Sequence, residues 1–329
     1  MIERRMIQRR SLLAAPALVL AMPGYAQSYP ARPVRIIVPF PPGNMSDLIA
    51  RVLTEEMQTR HNVQIIVDNR AGATGAIGVQ AVTRAEPDGH TLLLTSNSPV
   101  AVNPAVTPNL PFDVLRDLVP MSLIGWTGFL IVVPPDLPAS NLAELVALMR
   151  AHPGRYIAAN PGMGTAGHLT TEMFSRLTRI PLEQVPYRGS AQALLDLSVG
   201  RVHFMVDAMT SAMPQVTGGR VKALAVLAQN RSPILPDVPS MRESGVPEVV
   251  DFQSLAWAGL MGPAGTPQGV TLYWNRIFQE LLADPNFIRR LAQQNVEAAP
   301  PGGPERLADI LRTDLGRWQR LVQEANIRI

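Results

Sequence analysis

Cysteine is absent from all 329 residues, which removes disulfide scaffolds, thiolate metal sites, cysteine nucleophiles and lipoprotein anchoring through a processed cysteine. Lysine is nearly absent too: Lys222 is the single one, and arginine supplies the rest of the basic charge. Aromatic residues make up only 5%. The five histidines, at 61, 90, 152, 168 and 203, show no i, i+3 or i, i+4 pairing. Neither HExxH nor GxSxG occurs, so no zinc helix and no esterase elbow is indicated. Beyond the N-terminal region no segment holds the ~18 uninterrupted apolar residues of a membrane span. Catalysis, metal binding and membrane insertion therefore have little to rest on, and no cofactor is expected.

Basic excess is missing as well. The formal charge of +3 sits in residues 1–26, where Arg4, Arg5, Arg9 and Arg10 face Glu3 alone; the remainder holds 25 basic and 25 acidic residues. A neutral body without a basic cluster cannot neutralise many phosphates, so nucleic acid is not an expected partner. The arginines precede an apolar run from Leu12 to Met22, which is too short to span a bilayer and is the length of a signal-peptide core. Pro23-Gly24-Tyr25-Ala26 then supplies a helix breaker and small residues before a cut between Ala26 and Gln27. Arg9-Arg10-Ser11-Leu12-Leu13 also fits a twin-arginine signal, so either the Sec or the Tat route is open. Residues 1–26 are read as a signal peptide and the mature protein as exported to the periplasm, soluble and monomeric.

What is present is a large apolar fraction, 47% hydrophobic residues, enough for two domains. Strand-like and helix-like patterns alternate from Val34 onward. Val34–Pro39, Val63–Val67 and His90–Thr95 read as strands around a helix over Asp47–Thr59 and a glycine-spaced helix start at Gly72, Gly75 and Gly78. The pattern predicts a parallel sheet covered by helices, with ligands beyond the carboxyl ends of the strands. After the apolar run Phe129–Val133 the alternation repeats: helices near Ser140–Met149, His168–Leu177 and Ser190–Ser198, and strands at Tyr156–Ala159, Leu182–Val185, His203–Val206 and Ala223–Leu227. A strand near Gln253–Met261 and three helical stretches complete the chain, the latter returning to cover the first domain. Lobe 1 is thus residues 27–126 with 253–329, and lobe 2 is 127–252. Two chain crossings, near 127 and 252, form a hinge. Trp126 and Trp257 fall at these crossings, where core packing is the default and cleft lining the alternative.

Gly162-Met163-Gly164-Thr165-Ala166-Gly167 is a literal GxGxxG between a strand and a helix. A dinucleotide site fits poorly, because the motif lies mid-chain in an exported protein. Glycines at a helix N-terminus equally leave N–H groups free for a small carboxylate, and a purely structural turn is the third reading. The loop Pro39–Asp47 offers Gly43 and Asn44 backbone donors in a proline-stiffened shape, with Ser46 or Asp47 as N-cap. Ser96, Asn97 and Ser98 follow the third strand with hydroxyl and amide groups. His168 reads first as a framework residue. Asp207, ending a strand, either caps the next helix or meets a ligand donor group.

In order, Tyr29–Phe40, Asp68–Gly75, Pro87–Leu93, Asn103-Pro104, Gly162–Thr165 with His168-Leu169, Val185–Ser190, Leu235–Ser240 and Pro263–Pro267 resemble the solute receptors of tripartite tricarboxylate transporters, the Bug proteins. The match runs through nearly the whole mature chain. It implies an α/β two-lobed periplasmic binding protein of type II, a Venus flytrap, which captures a small carboxylate for a membrane permease without catalysis. Family ligand contacts correspond here to Gly43, Asn44, Met45, Ser46 and Asp47; Ser96, Asn97 and Ser98; Gly162, Gly164, Thr165, Ala166 and His168; Tyr187 and Gly189; and Asp207. Departures from the family pattern are Asn44 for a second glycine, Ala166 and Gly167 for hydroxyl residues, and Ala208 for an asparagine. They point to an aromatic or short aliphatic monocarboxylate. The loops are expected to hold it on backbone N–H groups, hydroxyls and water, without an arginine. Two other functions share the layout: a secreted hydrolase or lyase using Asp207 with His168, and a ligand sensor for a membrane signalling partner.

Overall fold

The structure, a computed structural model, describes residues 29–324 and 327; residues 1–26, read from the sequence as a signal peptide, lie outside them. Branched residues Val34, Ile36, Ile37 and Val38, all buried, make β1 (Val34–Val38) a core strand. A Pro/Gly turn leads to α1 (Met45–His61), which buries Met45, Ile49, Leu53 and Met57 at helical spacing. Its N-cap is Asn44, whose side chain accepts from the Asp47 N–H. This corrects the assignment of the cap to Ser46 or Asp47: Gly43, at φ +88°, turns the chain so that Asn44 is the extended residue that caps, and the helix begins at Met45, ahead of the expected position.

β2 (Ile65–Asn69), α2 (Ala76–Thr83) and β3 (Thr91–Ser96) complete a parallel wing in the order β2-β1-β3. A turn of π-helix at Ser98–Val102, α3 (Asn103–Val106) and α4 (Val114–Asp117) lead into β4 (Leu118–Val133). A second parallel wing, β6-β5-β7, is built from β5 (Ile157–Asn160), β6 (Glu183–Pro186) and β7 (Phe204–Ala208). Its covering helices are α5 (Leu142–Ala151), α6 (Ala166–Thr178), α7 (Ser190–Ser198) and α8 (Met209–Thr217). β8 (Lys222–Val226), β9 (Leu255–Pro263), α9 (Gln268–Ala283), α10 (Pro285–Gln293), β10 (Glu297–Ala298) and α11 (Pro304–Glu324) end the chain.

The sheet is mixed rather than wholly parallel, which corrects the sequence expectation. β4 is 16 residues long and antiparallel to β9, β7, β8 and β10. From Leu118 to Gly128 it pairs with β9; from Phe129 to Val133 it pairs with β7 and β8. One strand thus joins both wings, in the order β2-β1-β3-β9-β4-β7-β5-β6. Only Phe129–Val133 reads as a strand in the sequence, because Pro120 and the bulges near Ser122 and Gly125 break the alternation upstream. At Gly125 the carbonyl of Glu297 lies where a Cβ would stand, 2.3 Å away, so β10 pairs there only against glycine.

α9 and α11 pack on β4 as expected, but β10 interrupts the tail, which is therefore not purely helical. Trp126 and Trp257 sit opposite each other in the β4–β9 register, with Trp257 buried and its Nε1 donating to Asp314 at 3.0 Å. Among the described residues no helix is long and apolar enough to cross a membrane.

Candidate ligand-binding site

A cavity of about 500 Å³ lies between the wings. From the first wing it is lined by the Phe40–Ser46 loop, Ser96 and Ser98; from the second by Thr165, Gly167, Arg188–Gln192, Asp207 and Thr210. Its apolar walls include Phe40, Met45, Leu48, Phe129, Leu194 and Pro214.

Of the sequence-derived candidates, Gly43, Asn44, Met45, Ser46, Ser96, Ser98, Thr165, Gly189 and Asp207 line this cavity. The other seven stand outside its lining, each with a different employment. Asp47 is buried and spends both oxygens on the protein, accepting from Gly43 N (2.9 Å), Asn69 Nδ2 (3.0 Å) and Arg51 (2.9 and 3.1 Å). Burial acts to raise its pKa, but the bonds from Arg51, Gly43 and Asn69 outweigh it and hold the carboxyl below its ordinary value. Its work is to pin the loop. Asn97 turns beneath the floor, donating to Leu255 O at 3.1 Å and to Asp314 at 3.3 Å. His168 is buried, accepts at Nδ1 from Gly164 N at 3.2 Å, and burial pushes its pKa down, so it stays neutral as a framework group. Gly162 and Gly164, at φ +139° and +73°, shape the turn that Thr165 closes by capping α6. Ala166 gives its N–H to Ser98 Oγ at 3.1 Å. Tyr187 points toward Asp196, with its hydroxyl 2.9 Å from Oδ2.

Arg188 also lines the cavity, which corrects the expectation of a site without an arginine. Its side chain is exposed, and among the described residues it has no acidic partner. The residue stands within the Val185–Ser190 motif, so the signal was present. Thr210 went unread because Pro214 obscured α8, and Gln293–Asn295 because only the returning tail brings them to the cavity.

Helix starts dominate the electrostatics. α7 begins after Gly189 without a side-chain cap, so the N–H groups of Ser190, Ala191 and Gln192 have no intrahelical acceptor, and all three residues line the cavity. The first turn of α1, at Met45 and Ser46, opens from the opposite wing. Both present positive helix ends. Against them stands one buried acid. Asp207 Oδ1 accepts from Ser190 Oγ at 2.7 Å and the Ala208 N–H reaches the same carboxylate, but Oδ2 has no partner. Burial pushes its pKa up to about 7 against these two hydrogen bonds. Ser46 Oγ and Thr210 Oγ1 are likewise buried and unpartnered. No hydrogen bond links Asp207 to His168, and no three-residue group able to hold a metal occurs among the described residues.

The family model described as "Tripartite tricarboxylate transporter family receptor" matches residues 49–327. Protein BugT of Bordetella pertussis is 36% identical over 312 residues, covering 94% of each chain. The solved periplasmic binding protein BugD is 34% identical with a TM-score of 0.84, covering 91% of this chain and 99% of its own. MatC of Rhodopseudomonas palustris, solved with bound malate, is 30% identical with a TM-score of 0.82, covering 89% and 100%. The resemblance read from the sequence and the two-lobed α/β fold are borne out by these matches.

Proposed function

Since the chain belongs to the tripartite tricarboxylate transporter receptor family, a family of solute receptors and not of enzymes, we propose that its solute is a small carboxylate bound between α1 and α7. The observation that carries this reading is the uncapped first turn of α7, with Arg188 beside it, opening into a cavity whose walls combine apolar side chains such as Phe40, Phe129 and Leu194 with neutral polar ones such as Ser96, Ser98 and Thr210. N–H groups at a helix start bind carboxylates, and each charge-assisted bond contributes roughly 1.5–3 kcal/mol net. Three or four of them reach the ~8 kcal/mol of a micromolar complex. Apolar walls favour one carboxylate on an aromatic or short aliphatic body.

The lobes are 27–126 with 253–329, and 127–252. The change of β4 partners between Gly128 and Phe129 supports the first crossing, and the bond from Ser254 N to Leu227 O lies at the second. Residues 1–26 direct export to the periplasm by Sec or Tat, and the loaded receptor delivers its solute to membrane permease subunits. The hydrolase or lyase reading gains no support, because His168 is committed to Gly164, away from Asp207.

Thermal unfolding with a panel of acids checks the proposal. At ~100 times Kd the binding acid should add about 2.7 kcal/mol of stability, while its methyl ester adds none. If no carboxylate raises Tm at millimolar concentration, the reading fails.

A further inference from the structure

Asp207 is an acid inside a site built for anions. The elements packed on β7 are β4, β5, α6, α7 and α8, and β4, β5 and α8 contain no titratable side chain. On α6, His168 is held by Gly164, while Glu172 pairs with Arg176 at 3.2 Å and accepts from Gln184 at 3.2 Å. On α7, Asp196 takes Tyr187 at 2.9 Å and Arg201 at 2.9 Å. Arg188, before α7, lines the cavity but is exposed. Across the cavity, the Asp47 carboxylate is fully used by Arg51, Asn69 and Gly43. Among the described residues no buried cation is left to compensate Asp207.

Where a ligand carboxylate is enclosed beside Asp207 with no buried cation between the two, one of the close carboxyl pair keeps a proton. Ser190 already donates to Oδ1, leaving Oδ2 as the oxygen without a partner. We propose that Asp207 is the residue that donates a hydrogen bond to the captured carboxylate: Oδ2 takes one proton from solvent as the ligand is enclosed and returns it on release. This rests on the carboxylate reading above and adds that uptake is stoichiometrically proton-coupled. The shared hydrogen bond then distinguishes a carboxylate from an ester or amide, because only the carboxylate draws the proton in. Burial has already moved the carboxyl to where one proton is readily gained near neutrality.

Calorimetry with malate, and with benzoate as the probe of one charge, tests this in buffers of differing ionisation enthalpy. At pH 8 close to one proton should be taken up per ligand bound, and Kd should rise about tenfold per pH unit between pH 8 and 9. Asp207→Asn, whose amide donates at every pH, should bind without proton uptake and with a flat pH profile. Asp207→Leu, similar in size but without a donor, should lose at least tenfold at all pH values. If Asp207→Leu does not fold, the comparison of wild type with Asp207→Asn decides alone. Proton uptake near zero in the wild type, or uptake that persists in Asp207→Asn, overturns the inference while leaving the receptor reading intact. Failure of both acids and of the wider panel to bind overturns the receptor reading itself.

Discussion

Asp207 in the cavity lining and Asp47 behind it, in the first turn of α1, have opposite environments, and the contrast has a measurable sign. Asp47 is held below its ordinary pKa by its hydrogen bonds, so its contribution is present above the unfolded value and is lost as pH falls. Asp207 is raised to about 7 by burial. The folded protein therefore holds more protons than the unfolded one between the unfolded carboxyl value and that pH, and stability falls as pH rises through this window. In the ligand-free protein, Asp207→Asn should raise Tm at pH 8, by an amount on the order of 1–4 kcal/mol of stability, and should change little at pH 4. Equal effects at both pH values would show that the carboxyl is not buried in its neutral form. A valine at Gly164, by contrast, would act mainly on folding. That residue stands at φ +73° outside the cavity lining, and a left-handed conformation costs a side chain about 1–2 kcal/mol.

At the scale of elements, α1 and α7 differ in how their first turns are treated. α1 is capped by Asn44 and its loop is stapled by Asp47, so the Gly43–Ser46 segment is presented in one shape. α7 is left open. Asn44→Ala should cost about 1 kcal/mol of stability and weaken carboxylate binding as well, because the loop it shapes lines the cavity. A loss of stability with unchanged Kd would assign the cap to folding alone. Sequence patterning reveals most of these elements: the α7 bounds Ser190–Ser198 are the same in the structure, and β1, α1, α6 and β9 differ only at their ends. Bulges hide most of β4, and an internal proline hides α8, since both break the periodicity on which such a reading depends. In the site, the loops could be found because glycines and hydroxyl residues cluster after strands. What each side chain does there could not. Asp47, the Asn97 amide nitrogen, His168 Nδ1 and the Tyr187 hydroxyl are of types that contact ligands, and only the fold shows them spent on the protein itself.

The whole molecule is held shut by few bonds. Ser98 Oγ accepts from Ala166 N at 3.1 Å, and Thr74 Oγ1 donates to the Met163 carbonyl, each joining one wing to the other. Near the second crossing the Thr170 and Ser254 hydroxyls meet at 2.9 Å. Single hydrogen bonds contribute roughly 0.5–1.5 kcal/mol each, so the ligand-free receptor should exchange between open and closed lobes, and the ligand's own contacts should decide the balance. Thr74 offers the cleaner test, because it joins the wings without lining the cavity. Thr74→Ala should enlarge the radius of gyration of the ligand-free protein in X-ray scattering. With saturating ligand the profile should return to that of the wild type. Kd should rise roughly two- to tenfold, as the lost bond converts to affinity, and the change should fall mostly on the dissociation rate, since ligand enters the open form that the substitution leaves untouched. Identical ligand-free profiles for wild type and variant would mean that the Thr74 contact does not bear on closure and that the two crossings alone set the angle between the lobes.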